Sequence, residues 1–164
     1  MLLPRPVRLA IDTVPLAVVQ RVVATVFRQA LAQHPGLFDR LGAEADKRFC
    51  FTPTDLDLSF VVHPAARTIT VYRKAGTPAA DATASGPLLT LLALLEGRLD
   101  GDAVFFSRGL GVAGDMEAML ALRNALDDCG FDLPADLSGL AGPFARPFRR
   151  LAEAVRARAL AELV

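Results

Sequence analysis

Between residues 56 and 73 the chain changes sides with every residue. Leu56, Leu58, Phe60 and Val62 alternate with Asp57, Ser59, Val61 and His63. After the turn Pro64-Ala65-Ala66-Arg67, the stretch from Thr68 to Arg73 alternates again, with Ile69 and Val71 on one side. A period of two sends successive side chains to opposite faces of a strand, so the stretch reads as two half-buried strands joined by a hairpin. An isolated hairpin is marginal in water and needs further strands and an apolar layer against one face. Further strands are at hand. Phe49 to Thr54 reads as a strand before the hairpin, and Ala79 to Ser85, a run of small residues after the turn Lys74-Ala75-Gly76-Thr77-Pro78, as a weaker one after it. Successive hairpin links imply an antiparallel meander.

Helices supply the apolar layer. From Val14 onward Leu16, Val19, Val22, Val23, Val26, Phe27, Ala30 and Leu31 recur at three- and four-residue spacing, with Gln20, Arg21 and Arg28 off that stripe. His34-Pro35-Gly36 ends the helix, and Leu37 to Leu41 adds a short turn closed by Gly42. Gly86-Pro87 opens a second helix, whose Leu88, Leu89, Leu91, Leu92, Leu94 and Leu95 make it apolar nearly all round. Such a helix is buried on most sides or lines an apolar cavity. Ala103 to Ser107 reads as a strand, with Leu110 to Ala113 continuing it past a kink. Asp115 is a suitable N-cap for a third helix with Glu117 in its first turn; Met116, Met119, Leu120, Leu122 and Leu126 are expected to face inward. Two segments flank this core. Residues 1–13, with Pro4 and Pro6, read as an extended N-terminal arm, and residues 134–164 as a linker and a C-terminal helix. The expected architecture is α+β, a mostly antiparallel sheet with helices packed on one face, formed by residues 14–133.

With 164 residues the chain is one domain's worth, and a 52% hydrophobic content excludes a disordered chain. Lys and Arg number 18 against 18 Asp and Glu, which argues against a general nucleic-acid binder with a basic surface. The charges are unevenly placed: residues 96–136 hold nine acidic groups and three arginines, residues 137–164 five arginines and two glutamates. The longest uncharged run, Ala82 to Leu95, is shorter than the ~18–20 residues of a membrane span, and MLLPRPVRLAID lacks the apolar run of a signal peptide. Cys50 and Cys129 lie far apart without a metal-ligand pattern and read as reduced thiols. These features point to a cytoplasmic protein.

Signals for catalysis are sparse. Gly109-Leu110-Gly111-Val112-Ala113-Gly114 spells the dinucleotide fingerprint G-x-G-x-x-G after an expected strand and before a helix. Asp115 would, however, put a carboxylate where the pyrophosphate must sit, and no strand follows to complete a βαβ unit. Glycines in a strand kink and turn are the favoured reading, with a nucleotide-dependent enzyme as a remote alternative. His34 and His63 stand at element ends, and the pairs Asp55/Asp57 and Asp127/Asp128 have no nearby His or Cys to complete a metal site. Asp127 and Asp128 oppose the dipole of their helix, which an arginine from the tail would relieve. The expectation is no enzyme, no cofactor and no metal.

The tail says more. Phe144, Phe148, Leu151, Val155 and Leu163 follow helical spacing, and Arg149, Arg150, Arg156 and Arg158 lie mainly beside them. A basic amphipathic helix either lies on an anionic membrane, with Phe144, Phe148, Arg149, Arg150, Leu151 and Val155 in contact, or docks its stripe on its own domain. The leucine-rich helix, Phe105-Phe106 and the Met116/Met119 helix are an ordinary core, or flexible apolar walls for a ligand.

The stretch Asp102-Ala-Val-Phe-Phe-Ser-Arg108, then Leu110-Gly-Val-Ala-Gly-Asp115-Met-Glu117 and the helix to Asp127, resembles the end of the sterol carrier protein type 2 (SCP-2) fold. Within that fold it is most similar to the lipid carriers of the YhbT, or UbiT, type, accessory factors of ubiquinone biosynthesis. The run FF-x-R-x-L-x-V-x-G-D-x-E is its most specific part. The likeness spans roughly residues 14–130; Arg108, Gly114 and Asp115 match, whereas Gly109 and Gly111 replace larger residues. The resemblance implies an apolar tunnel between sheet and helices and no catalytic residues. It also implies a non-catalytic role in oxygen-independent ubiquinone synthesis, binding polyprenylated intermediates or other membrane lipids. Iron–sulfur hydroxylases of that pathway would be partners, and a peripheral place at the inner membrane would follow. Residues expected to line the tunnel are Phe60, Leu89, Leu92, Phe106, Met116, Met119 and Leu120. The rival reading is a protein-interaction adaptor with a filled core.

Overall fold

The computed structural model describes residues 5–95 and 110–130. Helix α1 (Arg5–Thr13) and helix α2 (Leu16–Gln33) come first, then a 3-10 segment (Asp39–Asp46) and the strands β1 (Phe49–Pro53), β2 (Ser59–His63) and β3 (Thr68–Tyr72). Strand β4 (Ala82–Gly86) leads into α3 (Leu88–Leu95), and β5 (Gly111–Gly114) into α4 (Met116–Cys129). Among the described residues the sheet has five strands in the order β3-β2-β1-β4-β5.

The hairpin is as expected: β1 pairs antiparallel with β2 (Phe49 opposite Val62), and β2 with β3 (Val62 opposite Ile69). The meander does not continue. After β3 the chain passes to the other side of β1, where β4 pairs parallel with it, Phe49 opposite Ala82 and Phe51 opposite Ala84. Strand β5 then pairs antiparallel with β4. One parallel ladder thus lies in an otherwise antiparallel α+β sheet.

Phe49, Phe51, Phe60, Val62, Ile69, Val71, Ala82, Ala84 and Val112 share one face by this register. That face carries both apolar clusters. In one, Phe49, Phe51, Val62, Ala82 and Ala84 meet Leu31 of α2, Leu91 of α3 and Ala118, Met119, Leu122, Ala125 and Leu126 of α4. In the other, Leu56, Leu58, Val71 and Leu89 are packed by Ile11, Leu16, Val19 and Val23. Phe60 touches both. The helices accordingly lie on one side of the sheet, and Ala82 and Ala84, wholly buried, are small because α4 passes directly over them.

The N-terminal segment is a correction. Residues 5–13 form a helix, not an extended arm. Pro6 stands in its first turn, where a missing N–H removes no helical bond, so this proline is compatible with a helix start. Ile11 packs on the second cluster, and Asp12 is tied down twice: its carboxylate accepts from the Asp57 N–H and its carbonyl from Arg73.

Gln20, a polar residue on α2, closes the outer edge of the sheet. Its amide donates to the Ile69 carbonyl (3.0 Å) and accepts from the Val71 N–H (2.6 Å), pairing backbone groups of β3 that an edge strand would leave open. The strand end at Gly86 is secured by Asp55, 1% exposed, whose carboxylate accepts from the Leu88 N–H at the start of α3.

Candidate functional site

Helices α3 and α4 meet over β1. Between them lies a small cavity lined by Phe51 from the sheet, Leu94 and Leu95 from α3, and Met119, Leu122, Arg123 and Leu126 from α4. Phe51 looks up into it because its register neighbours Phe60 and Ala84 occupy the same face. Leu94 and Leu95 arrive one turn beyond Leu91, and Met119, Leu122 and Leu126 form the stripe that α4 turns toward the sheet. The space amounts to about 10 Å³, room for roughly one water, and among the described residues six of the seven side chains that line it are apolar.

The tunnel residues named from sequence are distributed unevenly about this place. Met119 lines the cavity and is 3% exposed. Phe60 is half-buried between the two clusters; Leu89 is buried in the second cluster, under α2, and Leu92 is half-buried on α3. Met116 and Leu120 do not face inward: they are 51% and 47% exposed. The buried stripe of α4 runs through Ala118, Met119, Leu122, Ala125 and Leu126, and at 3.6 residues per turn Leu120 falls opposite it and Met116 off its edge. Phe106, and the tail residues Phe144, Phe148, Arg149, Arg150, Leu151 and Val155, lie outside the described residues. Arg123 was not legible as a site residue, because a charged side chain beside an apolar stripe reads as solvated surface.

Arg123 is unusual in its setting. Its side chain is 19% exposed and its Nε is buried without a hydrogen-bond partner. One guanidinium nitrogen, Nη2, reaches Asp127 Oδ2 one turn on, at 3.5 Å. Among the described residues the helix-end carboxylates are met by Arg123 for Asp127 and by Arg40 of the 3-10 segment for Asp128; the tail arginines lie outside the described residues.

The glycine run sits at the β5–α4 junction and has structural work there. Gly114 has φ +82°, and a Cβ on it would stand 2.3 Å from the Asp81 carbonyl oxygen. A Cβ on Gly111 would meet Ser85 Oγ at 2.8 Å. Asp115 caps α4 as expected, accepting from the Ala118 N–H at 2.9 Å, and Gly130 ends the helix in the left-handed conformation. Lys47 holds the same cap from the side, its Nζ 2.5 Å from Asp115 and 2.6 Å from Glu44. The Ala118 N–H and then the Lys47 ammonium hold the Asp115 carboxyl below its ordinary range, while Asp115 and Glu44 push the Lys47 ammonium above its own. The donors at this helix start are thus occupied by the protein's own carboxylate.

No helix among the described residues is long and apolar enough to cross a membrane. The family description "SCP-2 sterol transfer family" matches residues 27–127, more than half of the chain. The chain belongs to this family. No curated protein sequence matches it significantly. Among solved structures, one titled as a UbiJ-SCP2 ubiquinone synthesis protein superposes with a TM-score of 0.57 at 19% identity, covering 73% of this chain and 98% of that one. The apo form of sterol carrier protein 2 from Yarrowia lipolytica gives 0.46 at 16% identity, covering 70% and 94%. Sterol carrier protein domain 2 of Helicoverpa armigera gives 0.45 at 16%, covering 65% and 89%. The SCP-2 match begins in α2 and ends at Asp127 in α4, so it spans every strand described.

Proposed function

We propose that this SCP-2 protein binds a lipid chain between its sheet and helices α3 and α4 without transforming it, and that the ligand is a polyprenylated ubiquinone precursor or another membrane lipid. The observation that carries this reading is the apolar cavity over Phe51, walled by Leu94, Leu95, Met119, Leu122 and Leu126, in the helix layer on the sheet of a chain that belongs to the SCP-2 family. A prenyl or acyl chain has no polar group to grip. Affinity would come from area removed from water, at about 25 cal/mol per Å² before the entropic cost of binding. The ubiquinone assignment is supported by the resemblance of residues 102–127 to the YhbT/UbiT-type carriers and by the likeness in fold to the UbiJ-SCP2 protein. In this reading residues 14–133 are the binding domain. The basic helix of residues 144–164 contacts an anionic membrane surface, and the protein is cytoplasmic and peripheral at the inner membrane. Iron–sulfur hydroxylases of the same pathway would receive the ligand.

One observation favours a second reading. Among the described residues the space over Phe51 admits about 10 Å³, far below the volume of a prenyl chain, so lipid binding requires more room there than this arrangement gives; a protein-interaction adaptor with a filled core requires none. A fluorescent fatty-acid probe displaced by a long-chain prenylated phenol separates the two. Met119→Trp, which fills the cavity, and Leu92→Trp, on the half-buried side of α3, are expected to weaken binding at least about fivefold with native far-UV circular dichroism. Unchanged affinity in both folded variants would contradict the site, and absence of binding by the native chain would favour the adaptor.

A further inference from the structure

Helix α4 buries one stripe and leaves another bare. Met116, Leu120, Asn124 and Asp127 recur at four-, four- and three-residue spacing, which sets them on one face, and Glu117 stands beside them. All five are exposed. Met116 and Leu120 are two of only four large apolar side chains in that state among the described residues, and they stand one turn apart. An apolar pair in register, rimmed by carboxylates, suits a partner that is apolar along one stripe and basic beside it. The chain carries such a segment. Phe144, Phe148, Leu151 and Val155 recur at four-, three- and four-residue spacing, and residues 144–164 hold five arginines against two glutamates. The eleven steps from Met116 to Asp127 equal those from Phe144 to Val155, about 16 Å along a helix at 1.5 Å per residue. Helix α4 ends at Cys129, and residues 131–143, at roughly 3.3 Å each, reach about 43 Å, enough to bring the second segment back along the first. Other occupants fit less well. Residues 96–109 hold three acidic groups and two arginines, and a second copy of α4 would set Glu117 and Asp127 against like charges. A tethered segment also meets the face at a high effective concentration, so a contact of small area suffices.

We propose that residues 144–164 dock on the outer face of α4, their apolar stripe on Met116 and Leu120 and their arginines toward Glu117 and Asp127, and that this contact competes with an anionic membrane for the same stripe. The proposal rests on the membrane reading of the tail and adds its regulation. Away from a membrane the domain covers the stripe. At an anionic surface the lipid headgroups take the arginines and the bilayer takes the phenylalanines, and one stripe serves only one of the two at a time. Asp127 has room for a second cation, because Arg123 meets it at 3.5 Å, beyond normal hydrogen-bond length. Met119, Leu122 and Leu126, on the opposite stripe of the same helix, line the cavity over Phe51, so the exchange takes place on the back of a cavity wall.

The full chain, native and as the double variant Met116→Gln/Leu120→Gln, tests this. Both positions are exposed and glutamine is a good helix former, so native far-UV circular dichroism is expected of the variant. Two readouts are taken: co-sedimentation with vesicles of phosphatidylglycerol and phosphatidylcholine, and trypsin cleavage after Arg149 and Arg150 without vesicles. Loss of two exposed apolar side chains ordinarily lowers a membrane affinity or leaves it unchanged. Here it is expected to raise the affinity about threefold or more, because the competitor for the stripe is gone. Cleavage after Arg149 and Arg150 is expected to quicken by a similar factor, because the docked state no longer shields them. Equal cleavage of native chain and variant overturns the docking, and a vesicle affinity unchanged or lowered in the variant overturns the competition; in both cases vesicle binding by the native chain leaves the membrane reading of the tail standing. Shielding that the variant loses, with no vesicle binding by either chain, leaves the docking standing and overturns the membrane reading instead. Shielding that fades on dilution, with a dimer in sedimentation equilibrium, gives the face to a second copy and overturns the contact within one chain.

Discussion

At the scale of single residues, the glycine run is where local chemistry and motif reading part most clearly. Gly114 combines a positive φ with a backbone approach so close that a Cβ would lie 2.3 Å from the Asp81 carbonyl. Asp81 in turn accepts from the Asp115 N–H at 2.8 Å, so β5 cannot retreat without losing the start of α4. Gly114→Ala is expected to cost about 2–4 kcal/mol, the range for a strained backbone combined with a steric clash, measurable as a lowered urea midpoint with an unchanged slope. Asp115 adds a pH signature. Its folded pKa is depressed, first by the Ala118 N–H and then by Lys47, so its contribution is present above the unfolded carboxylate pKa of about 3.9 and is lost as pH falls through the folded value. Lys47 shifts the other way, and its own titration lies above the ordinary lysine range, so on the acid limb the ammonium stays protonated and only the carboxylate side of the pair titrates. Asp115→Asn keeps an N-cap acceptor but removes the charge facing Lys47. Thermal melts should show the variant below the native protein at neutral pH, with the gap narrowing once pH drops below the ordinary carboxylate range. A gap constant down to the acid end would mean that the Lys47 pairing contributes nothing.

Among the elements, periodicity located most of what the structure contains. The α2 stripe, the Leu56–Val71 hairpin, the leucine-rich α3 and the course of α4 from its Asp115 cap to Asp127 were all legible, because each is specified by contacts within a few residues. Three features were not. The α1 helix was hidden by a proline that a first turn tolerates. The parallel pairing of β4 with β1 depends on which strand lies beside it in space, and small alternating residues such as Ala82, Thr83 and Ala84 fit either direction. Met116 and Leu120 are apolar on a helix whose buried stripe passes elsewhere, so residue type misled where angular position decides. The site followed the same pattern: Met119 was legible from its stripe, whereas Phe51 and Arg123 enter only through the meeting of β1 with α4. The basic tail carries its own prediction. In the proposed reading the helical spacing of Phe144, Phe148, Leu151 and Val155 supplies an apolar stripe, and each neighbouring arginine would add roughly 1 kcal/mol of attraction to an anionic surface, screened as salt shortens the Debye length from about 10 Å at 0.1 M to about 3 Å at 1 M. In vesicle co-sedimentation the full chain should bind anionic liposomes in a salt-dependent way, and a chain ending at Gly142 should not. Equal binding by both would place the tail against its own domain.

For the molecule as a whole, the design is a one-sided sandwich: a five-stranded sheet among the described residues, with α2, α3 and α4 collected on the face that carries Phe49, Phe51 and Val62. Edge protection by Gln20 and the cap at Asp55 fasten the β3 side and the β4–α3 corner, while the α3–α4 seam over Phe51 relies on flexible leucine and methionine side chains. In the proposed reading that contrast makes the seam, rather than the sheet, the place that gives way to a ligand. The central claim is that it opens for a lipid. Native mass spectrometry of the full chain, purified without detergent from a host that makes isoprenoid quinones, tests it most directly. The account predicts the protein carrying one lipid-sized adduct, released by mild activation and identified as a prenylated phenol or a membrane lipid. A bare chain, before and after incubation with such lipids, would contradict it.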